Sequence, residues 1–382
     1  MRIDTKEYLD FSDVLIKPKR SSLSSRKDVE LERKFTFLHS EKTWSGIPIM
    51  ASNMDTIGTW QMRNVLSAFH IPTMIHKFYS SSDWLYSMTK EDDLTQKPSV
   101  YLNDFLNKVK YTIPSFGIRK EDIDKFFELA REVEYFPNMI CFDVANGYTE
   151  RFVDHIKRMR DYFGKTITII AGNVATPEVV EALIFAGADI VKVGIGSGKQ
   201  CSTRLKAGVG IPQLTSISDC SDAAHGLGGH IIADGGIQQV ADVGKAFGAG
   251  ADFVMIGTLL AGHQESGGDL LQKEFLTNEY SPEFRSLGFN DFTSTKELKT
   301  ERKQYKEVYG MSSEFAMDKY YGGKANYRSS EGEYSLVEYR GPVKNTIEDI
   351  LGGLRSTMTY IGARRLKDIS KCTTFVKVNR IK

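Results

Sequence analysis

The sequence predicts an α/β fold, a (β/α)₈ TIM barrel with a long flap insertion after the eighth strand. Eight strand-like runs alternate with helical segments along 382 residues, and such barrels span ~200 to more than ~400 residues. Most runs are continuously apolar, as expected of parallel strands that helices cover. A doubly wound parallel sheet would give the same alternation and stays open as the alternative. The predicted strands are Ile47–Met54, His70–Lys77, Tyr111–Gly117, Met139–Asn146, Thr166–Asn173, Ile190–Gly194, His230–Gly236 and Asp252–Gly257.

Helical periodicity marks the segments between several of these strands, and another helix is expected to close the barrel near the C-terminus. The predicted helices are Glu150–Met159, Pro177–Phe185, Val240–Phe247 and, as the closing helix, Thr346–Arg355.

The regions outside the alternation are predicted to belong to one catalytic domain, residues 1–382. Residues 1–46 read as an N-terminal cap, and residues 262–343 as a flap or insertion. The charged segment 293–307 within the insertion is interpreted as the solvated face of a helix. Long barrel loops of this kind often act as lids over a site.

Composition narrows the class of protein. Hydrophobic residues make up 41% and charged residues 26%, which is typical of a soluble globular protein. A net charge of +1 provides no strong attraction to nucleic acid or to a membrane surface. No apolar run approaches the ~18 residues of a membrane span, and the charged start does not resemble a signal peptide. The four cysteines lack paired spacing, so we expect a reduced, cytoplasmic protein.

Polar and glycine residues follow the predicted strands at their C-terminal ends. In a barrel these ends meet at one rim, where active sites lie. Asp234-Gly-Gly is also typical of an ordinary turn, and Asn173 of an ordinary loop, so their joint placement is what favours a site. The residues concerned are Asn53, Asp55, His76, Lys77, Asp143, Asn146, Asn173, Gly196 to Cys201, Asp234 to Gly236, and Gly257.

The stretch from Gly194 to Arg204 carries the strongest chemical signal. Three glycines at alternating positions allow a sharp turn that directs several backbone N–H groups to one point. Cys201 follows that turn, and a thiol acts as a nucleophile only as the thiolate. Lys199, Arg204 and the glycine turn are candidates for lowering the pKa of the thiol. A buried structural cysteine is the competing interpretation.

Several long motifs resemble the IMP dehydrogenase/GMP reductase family, and its reductase branch in particular. The resemblance covers about residues 8–380 and includes the stretch from Gly194 to Gln213. The other motifs are Asn53-Met-Asp-Thr, Asp143-Val-Ala-Asn-Gly-Tyr148, Ala171-Gly-Asn-Val174, Phe247-Gly-Ala-Gly-Ala-Asp-Phe-Val254 and Tyr309-Gly-Met-Ser-Ser-Glu314.

Three features favour the reductase branch. The chain between Lys77 and Lys110 has no room for the tandem CBS module that dehydrogenases of the family usually carry. A basic stretch, Arg204-Leu-Lys206, follows the cysteine, as in reductases. The Arg-Tyr pair of the dehydrogenase flap is here reversed, as Tyr327-Arg328 and Tyr339-Arg340.

The resemblance implies the reaction GMP + NADPH → IMP + ammonia + NADP⁺, part of purine nucleotide interconversion. It implies that Cys201 attacks C2 of the guanine and forms a thioimidate, while Thr203 and Glu331 handle the proton of the leaving amine. It also implies a homotetramer.

Binding residues follow from the same resemblance. Those implied for GMP or IMP are Asp234, Gly235, Gly236, Gly257, Thr258, Gly310, Met311, Ser312, Arg328, Ser329, Ser330 and Gly332. Those implied for NADPH are Ser25, Arg26, Lys77, Asp143, Val144, Ala145, Ile195, Gly196 and a turn at Ser356, Thr357, Met358 and Thr359 from a neighbouring subunit. A potassium ion would lie on the carbonyl groups of Gly196, Gly198, Cys201 and Arg204.

Two features depart from the family pattern. The loop reads Gly196-Ser-Gly-Lys199 where Gly-Pro-Gly-Ser is usual, and residues 270–305 are longer than the pattern. The remaining alternatives are a dehydrogenase without the CBS module, a flavin-dependent barrel oxidoreductase and a barrel that binds nucleotides without turnover.

Overall fold

The computed structural model describes residues 1–88, 98–280 and 298–379 of the chain. The N-terminal region begins with a short strand, β1 (Val14–Ile16), and continues into an antiparallel hairpin of β2 (Arg33–Thr36) and β3 (Thr43–Gly46). These elements precede the barrel, within the segment that the sequence analysis interprets as a cap.

Eight parallel strands close into a barrel, which confirms the predicted fold class over a doubly wound sheet. Each predicted strand overlaps an observed one, although most observed strands are shorter because their polar ends belong to the rim loops. The strands are β4 (Ile49–Ala51), β5 (Thr73–Ile75), β6 (Thr112–Phe116), β7 (Met139–Asp143), β8 (Thr168–Val174), β9 (Ile190–Val193), β10 (His230–Asp234) and β11 (Phe253–Ile256).

Helices between the strands cover the outside of the barrel. The helix α5 begins at the predicted residue and runs four residues further than predicted, and α6 matches its prediction at both ends. The helices are α1 (Trp60–Ser67), α2 (Ser81–Met88), α3 (Pro98–Lys110), α4 (Lys120–Glu132), α5 (Glu150–Phe163), α6 (Pro177–Phe185), α7 (Thr203–Lys206), α8 (Gln213–Gly226) and α9 (Val240–Gly248).

The hairpin β2–β3 lies at the N-terminal end of the barrel. Phe35 stacks on Phe253 with ring centroids 4.6 Å apart, and Trp44 packs on the same ring at 5.5 Å. Both aromatic residues belong to the apolar cluster that also contains Met50 and Ile232 of the barrel strands. Burial of this aromatic surface leaves the opposite, C-terminal end of the barrel as the open one.

Two buried aspartates join this hairpin region to the strands. Asp189, just before β9, is 0% exposed and accepts hydrogen bonds from the His39 and Ser40 N–H groups at 2.8 and 3.0 Å. It also accepts from the Ile169 N–H at 2.9 Å and from Arg160 Nη2 at 2.7 Å. Four donors therefore compensate the cost of burying this carboxylate.

Asp252, just before β11, has an equivalent place at the same end of the barrel. Its Oδ2 lies 2.8 Å from His225 Nε2 and 3.4 Å from His230 Nδ1, while Arg33 Nη2 lies 3.2 Å from its Oδ1. Two histidines and one carboxylate at this spacing could ligate a metal ion. The guanidinium of Arg33 already balances the carboxylate, so we interpret the group as an ion-pair network.

The insertion after β11 forms a small antiparallel sheet and a helix. The strands β12 (Leu270–Tyr280), β13 (Leu298–Tyr309) and β14 (Tyr334–Glu338) pair in that order, and α10 (Glu314–Tyr321) lies between the last two. The interpretation of residues 293–307 as a helix face is wrong for residues 298–307, because they belong to β13. The charged side chains suit this strand since its sheet is largely exposed. Residues 293–297 lie outside the described residues.

The C-terminal region returns to the barrel. The helix α11 (Lys344–Ile361) contains the predicted closing helix and packs on α9, and α12 (Ile369–Cys372) and β15 (Phe375–Lys377) follow it. The strand β15 pairs antiparallel with β1. Within the part of the chain that the structure describes, no helix combines the length and the apolar character needed to span a bilayer.

Replacing Asp189 by alanine is expected to lower the free energy of unfolding by about 3–5 kcal/mol, because Arg160 would remain buried without its partner. Chemical denaturation monitored by circular dichroism measures this change. Asp161→Ala, an exposed position of the neighbouring helix, is the matched control. Equal midpoints for the two variants would contradict this role of Asp189.

Candidate active site

The site lies at the C-terminal rim of the barrel, in the loop that follows β9. Gly194 has φ = 155° and Gly196 has φ = 73°. A Cβ at Gly194 would lie 1.8 Å from the carbonyl oxygen of Asp234, so only glycine allows the loop to pass this close to the end of β10. The glycines therefore place the following residues over the barrel mouth.

The Cys201 thiol contacts a hydroxyl, and that hydroxyl contacts a carboxylate. Cys201 Sγ lies 3.2 Å from Thr203 Oγ1, and Thr203 Oγ1 donates to Glu331 Oε2 at 2.7 Å. All three side chains are partly buried, so the group is reachable from the barrel mouth. The structure thus brings together the three residues that the sequence analysis assigns to chemistry.

A short backbone pairing holds Glu331 in place. Cys201 and Gly332 form an antiparallel β-bridge. The Ser202 N–H donates to the Glu331 carbonyl at 2.8 Å, and the Glu333 N–H donates to the Gln200 carbonyl at 2.9 Å. The flap insertion and the cysteine loop are therefore joined through main-chain bonds at the predicted catalytic residues.

Glycine is required on the flap side of this pairing. A Cβ at Gly310 would lie 2.6 Å from the Gln200 carbonyl oxygen, and a Cβ at Gly332 would lie 2.6 Å from the Ser313 nitrogen. Both predicted substrate-binding glycines are therefore explained by close approach of the backbone.

The two cations considered for the thiol occupy different places. Arg204 Nη1 lies 3.0 Å from Asp10 Oδ2, and its Nη2 donates to the Ile211 carbonyl at 2.6 Å. Lys199 is exposed. Arg204 therefore ties the cysteine loop to the N-terminal region through Asp10, a residue that the sequence analysis missed.

A buried lysine connects two carboxylates below the cysteine loop. Lys192, on β9, is 1% exposed, and its Nζ lies 2.6 Å from Asp143 Oδ1 and 3.3 Å from Asp234 Oδ2. Its Nζ also donates to Asn53 Oδ1 at 3.2 Å, and Asn173 Nδ2 donates to Asp234 Oδ2 at 2.8 Å. Burial alone would lower the pKa of Lys192, but Asp143 and Asp234 outweigh it and raise that pKa. Lys192 is therefore cationic at neutral pH.

The predicted substrate-binding glycines at the ends of β10 and β11 lie beside this network. Gly235 and Gly236 follow β10 with φ = 95° and 81°, which favours glycine at both positions. Gly257 follows β11 and precedes a short 3₁₀ helix, Thr258–Leu260. Beside Gly257 lies the buried Ser52 hydroxyl, which has no hydrogen-bond partner among the described residues.

The remaining predicted substrate residues come from the flap. One group follows β13 and consists of Gly310, Met311 and Ser312. The other precedes β14 and consists of Arg328, Ser329, Ser330 and Gly332. Arg328 and Ser329 are exposed, whereas Ser330 donates through Oγ to the Gly332 carbonyl at 3.3 Å.

Asp55 anchors the flap to the rim. Its buried carboxylate accepts hydrogen bonds from the hydroxyls of Tyr309 and Tyr320, and Lys319 Nζ lies 3.3 Å from the same Oδ2. Tyr320 also stacks on Phe78 with ring centroids 3.7 Å apart. One carboxylate therefore fixes both β13 and α10, which flank the segment Gly310–Ser312.

His76 lies near this anchor on the loop after β5. Its ring stacks on Tyr79 with centroids 4.0 Å apart. Burial lowers the pKa of His76 to about 4, so the imidazole is neutral at physiological pH.

The predicted cofactor residues form two groups. The first lies at the barrel mouth and consists of Lys77, Asp143, Val144, Ala145, Ile195 and Gly196. The second lies on the outside, with Ser25 and Arg26 at a short 3₁₀ helix that contacts α11. The prediction of a turn at Ser356–Thr359 is wrong, because these residues lie within the 18-residue helix α11. Met358 is 0% exposed, so its side chain belongs to the core.

The predicted potassium ligands belong to the cysteine loop and the start of α7. Gly198 already accepts a hydrogen bond from the Cys201 N–H at 3.0 Å, and a carbonyl oxygen has a second lone pair for a cation. An all-carbonyl donor set suits a hard cation. The donor chemistry of these residues therefore fits such an ion, and Lys199, which stands where the family pattern has serine, is exposed.

The sequence analysis did not select Lys192, Ser52 or Asp10 as site residues. A signal for Lys192 was present, because a lysine interrupts the apolar run Ile190–Val193 that was predicted to be buried. Ser52 and Asp10 had no comparable signal, since polar residues near strand ends are common.

Comparison with known proteins agrees with this site. The family model described as IMP dehydrogenase / GMP reductase domain matches residues 8–282 and 285–381. The two matched segments leave only residues 283 and 284 between them. The expected departure from the family pattern over residues 270–305 therefore interrupts the match at two positions only.

Curated relatives match over almost their whole length. The chain is 48% identical to GMP reductase 2 of Mus musculus over 378 residues, which cover 99% of this chain and 96% of that protein. It is 47% identical to GMP reductase 2 of Homo sapiens and 47% identical to GMP reductase of Klebsiella pneumoniae, again over 99% of this chain and over 96% and 97% of those proteins. With the family model and these relatives covering nearly every residue, the chain belongs to the IMP dehydrogenase/GMP reductase family.

Proposed function

We propose that this chain is a GMP reductase, an oxidoreductase that converts GMP and NADPH to IMP, ammonia and NADP⁺. The observation that carries the proposal is the contact series from Cys201 Sγ through Thr203 Oγ1 to Glu331 Oε2, with distances of 3.2 and 2.7 Å. Relatives named GMP reductase, 47–48% identical over nearly the whole chain, support the same activity.

Thiol activation follows from this series. The Thr203 hydroxyl donates its single proton to the Glu331 carboxylate, so its lone pairs face the thiol. As the thiol proton passes to Thr203, the hydroxyl proton passes to Glu331. The product is a thiolate next to a protonated carboxylic acid, which is the arrangement that covalent catalysis requires.

The protonated Glu331 also donates the proton that the leaving amine needs. Sulfur adds to C2 of the guanine, the π electrons of the C2=N3 bond move to N3, and C2 becomes tetrahedral with both sulfur and the amine attached. Glu331 returns its proton through Thr203 to the amine, the bond from C2 to the amine breaks, ammonia departs, and the electron pair on N3 re-forms the C2=N3 bond. A thioimidate on Cys201 remains, ready to be reduced at C2.

Nucleotide binding is assigned to the rim. The phosphate is proposed to lie on the backbone N–H groups of Gly235, Gly236 and Gly257, and the unpartnered Ser52 hydroxyl next to Gly257 suits the same anion. Asp234 is proposed to accept hydrogen bonds from the ribose. The flap residues Met311, Ser312 and Arg328 are proposed to hold the base and sugar.

The cofactor and the ion remain proposals supported by the fit of the residues. We propose that NADPH is held at the barrel mouth by Lys77, Asp143 and Gly196. When bound, it would supply a hydride to C2, and the Cys201–C2 bond would then break to release IMP. Carbonyl oxygens of Gly196, Gly198, Cys201 and Arg204 are proposed to hold a potassium ion, which would steady the cysteine loop.

We propose that the protein assembles as a homotetramer, because the predicted cofactor residues lie in two separate places, at the barrel mouth and on the outside of the barrel. Ser356, Thr357 and Thr359 are partly exposed on α11 outside the barrel, so a neighbouring subunit is the proposed source of these contacts at each site, whereas the Met358 side chain is buried. The four cysteines are free, which suits the reducing cytoplasm.

Replacing Cys201 by alanine is expected to abolish turnover, because the covalent step has no other nucleophile in this loop. The measurement is the GMP-dependent loss of near-ultraviolet absorbance of NADPH, with purified protein. Cys372→Ala, a partly buried free cysteine on α12, is the matched control and should retain full activity.

Two findings with the purified protein would reject the reductase assignment, and a third would reject the thiol mechanism. NADH formation from IMP and NAD⁺, without GMP turnover, would indicate a dehydrogenase. A yellow protein with bound flavin would indicate a flavin enzyme. Full activity of Cys201→Ala would reject the thiol mechanism.

Replacing Thr203 by valine is expected to lower kcat by about 10²–10⁴-fold, since the branched side chain keeps its shape but cannot transfer a proton. Thr203→Ser keeps the hydroxyl and should recover most of the rate. Equal kcat values for the two variants would show that the hydroxyl does not take part.

Replacing Asp55 by alanine is expected to loosen the flap, because two tyrosines and Lys319 lose their shared acceptor. Each buried donor left unpaired costs about 1–3 kcal/mol. Faster amide hydrogen exchange in α10, with lower kcat, is the expected result. Asp318→Ala, an exposed change on the same helix, should leave both unaffected.

A further inference from the structure

The Nζ atom of Lys192, at the centre of the rim network, contacts two carboxylates for which different ligands are proposed. Lys192 Nζ lies 2.6 Å from Asp143 Oδ1 and 3.3 Å from Asp234 Oδ2. Asp143 ends β7 and Asp234 ends β10, with β8 and β9 between them in the barrel. A single cation therefore bridges positions on opposite flanks of the cysteine loop.

Burial makes this bridge strong. The Lys192 side chain is 2% exposed, so water does not screen its charge, and it cannot gain another solvent partner when one carboxylate moves. The carboxylates are less buried, at 33% and 21% exposed, so both can reach ligands from the barrel mouth.

The position of Lys192 is fixed by the backbone around it. A Cβ at Gly172 on β8 would lie 2.5 Å from the Lys192 Cβ and 2.7 Å from its carbonyl oxygen. The absence of a side chain at Gly172 therefore allows β8 to pack directly against Lys192. Asn53 Oδ1, at 3.2 Å, is the third acceptor of the ammonium group.

We propose that Lys192 is a positioning residue that couples nucleotide binding at Asp234 to dinucleotide binding at Asp143. This inference rests on the proposed function, which assigns GMP or IMP to Asp234 and the nicotinamide cofactor to Asp143. Any change in the charge or position of one carboxylate alters the strength of the electrostatic interaction between Lys192 and the other carboxylate. The two binding equilibria are therefore linked, and linkage of this kind is reciprocal.

The experiment measures binding without turnover. Isothermal titration gives the Kd of IMP for the intact protein and for Asp143→Asn, a residue that has no proposed contact with IMP. With Asp143 neutral, Lys192 is drawn to Asp234 and competes with the ribose, so the Kd of IMP should rise about fivefold or more. Reciprocally, Asp234→Asn should raise the Kd of NADP⁺.

A double-mutant cycle assigns the coupling to Lys192 itself. In a Lys192→Met background, Asp143→Asn should no longer weaken IMP binding, because no shared cation remains and removal of one carboxylate charge relieves repulsion of the other. A merely structural role for Lys192 would leave the effect of Asp143→Asn unchanged. If Lys192→Met does not fold, the reciprocal pair Asp143→Asn and Asp234→Asn still tests the coupling.

Arg160→Met is the matched control for loss of a buried cation. Arg160 pairs with Asp189 at the opposite end of β9, with Nη2 2.7 Å from Oδ2. This variant should lower stability while leaving both Kd values unchanged.

The outcomes separate the two proposals. Wild-type protein that binds neither IMP nor NADP⁺ would overturn the proposed function and this inference with it. Wild-type protein that binds and turns over its substrates, while Asp143→Asn leaves the Kd of IMP unchanged, would overturn the coupling alone.

Discussion

The active site depends on a short backbone pairing between the cysteine loop and the flap. Cys201 and Gly332 are bridged, and this bridge brings the Glu331 side chain to the Thr203 hydroxyl. The barrel alone supplies a thiol and a hydroxyl, and the flap supplies the carboxylate. In the proposed mechanism, activation of the thiol therefore depends on two segments that are distant in sequence and that meet through their main chains.

The buried carboxylates have different surroundings at the two ends of the barrel. At the closed end, Asp189 and Asp252 are saturated with donors and hold strands and hairpin together. At the open end, Asp143 and Asp234 share Lys192 and remain partly exposed. Fully compensated carboxylates stabilise the fold, whereas partly compensated ones retain capacity for ligands.

The sequence predicted the barrel well because its signals are local. Apolar runs and helical periodicity depend on neighbouring residues, and all eight predicted strands overlap observed ones. The location of the rim residues was also predictable, because the C-terminal ends of parallel strands meet at one edge of the barrel. The contact of Thr203 with Glu331 came from resemblance alone, because 128 residues separate them and no periodicity links them.

The errors also have physical causes. The charged segment in the flap was interpreted as a helix face, but β13 lies in a sheet where most of its charged side chains, such as Glu301, Arg302 and Lys303, are exposed or half-buried. Ser356–Thr359 lies within the C-terminal third of α11, although a turn was expected there. Lys192 was overlooked because a strand pattern does not indicate which buried position faces two carboxylates across the barrel.

The order of the chain has a consequence for biosynthesis. Thr203 leaves the ribosome 128 residues before Glu331, and β15, which pairs with β1, is made after the flap. In the proposed mechanism, a nascent chain that ends before the flap therefore carries the Cys201 thiol without the Glu331 carboxylate that accepts its proton.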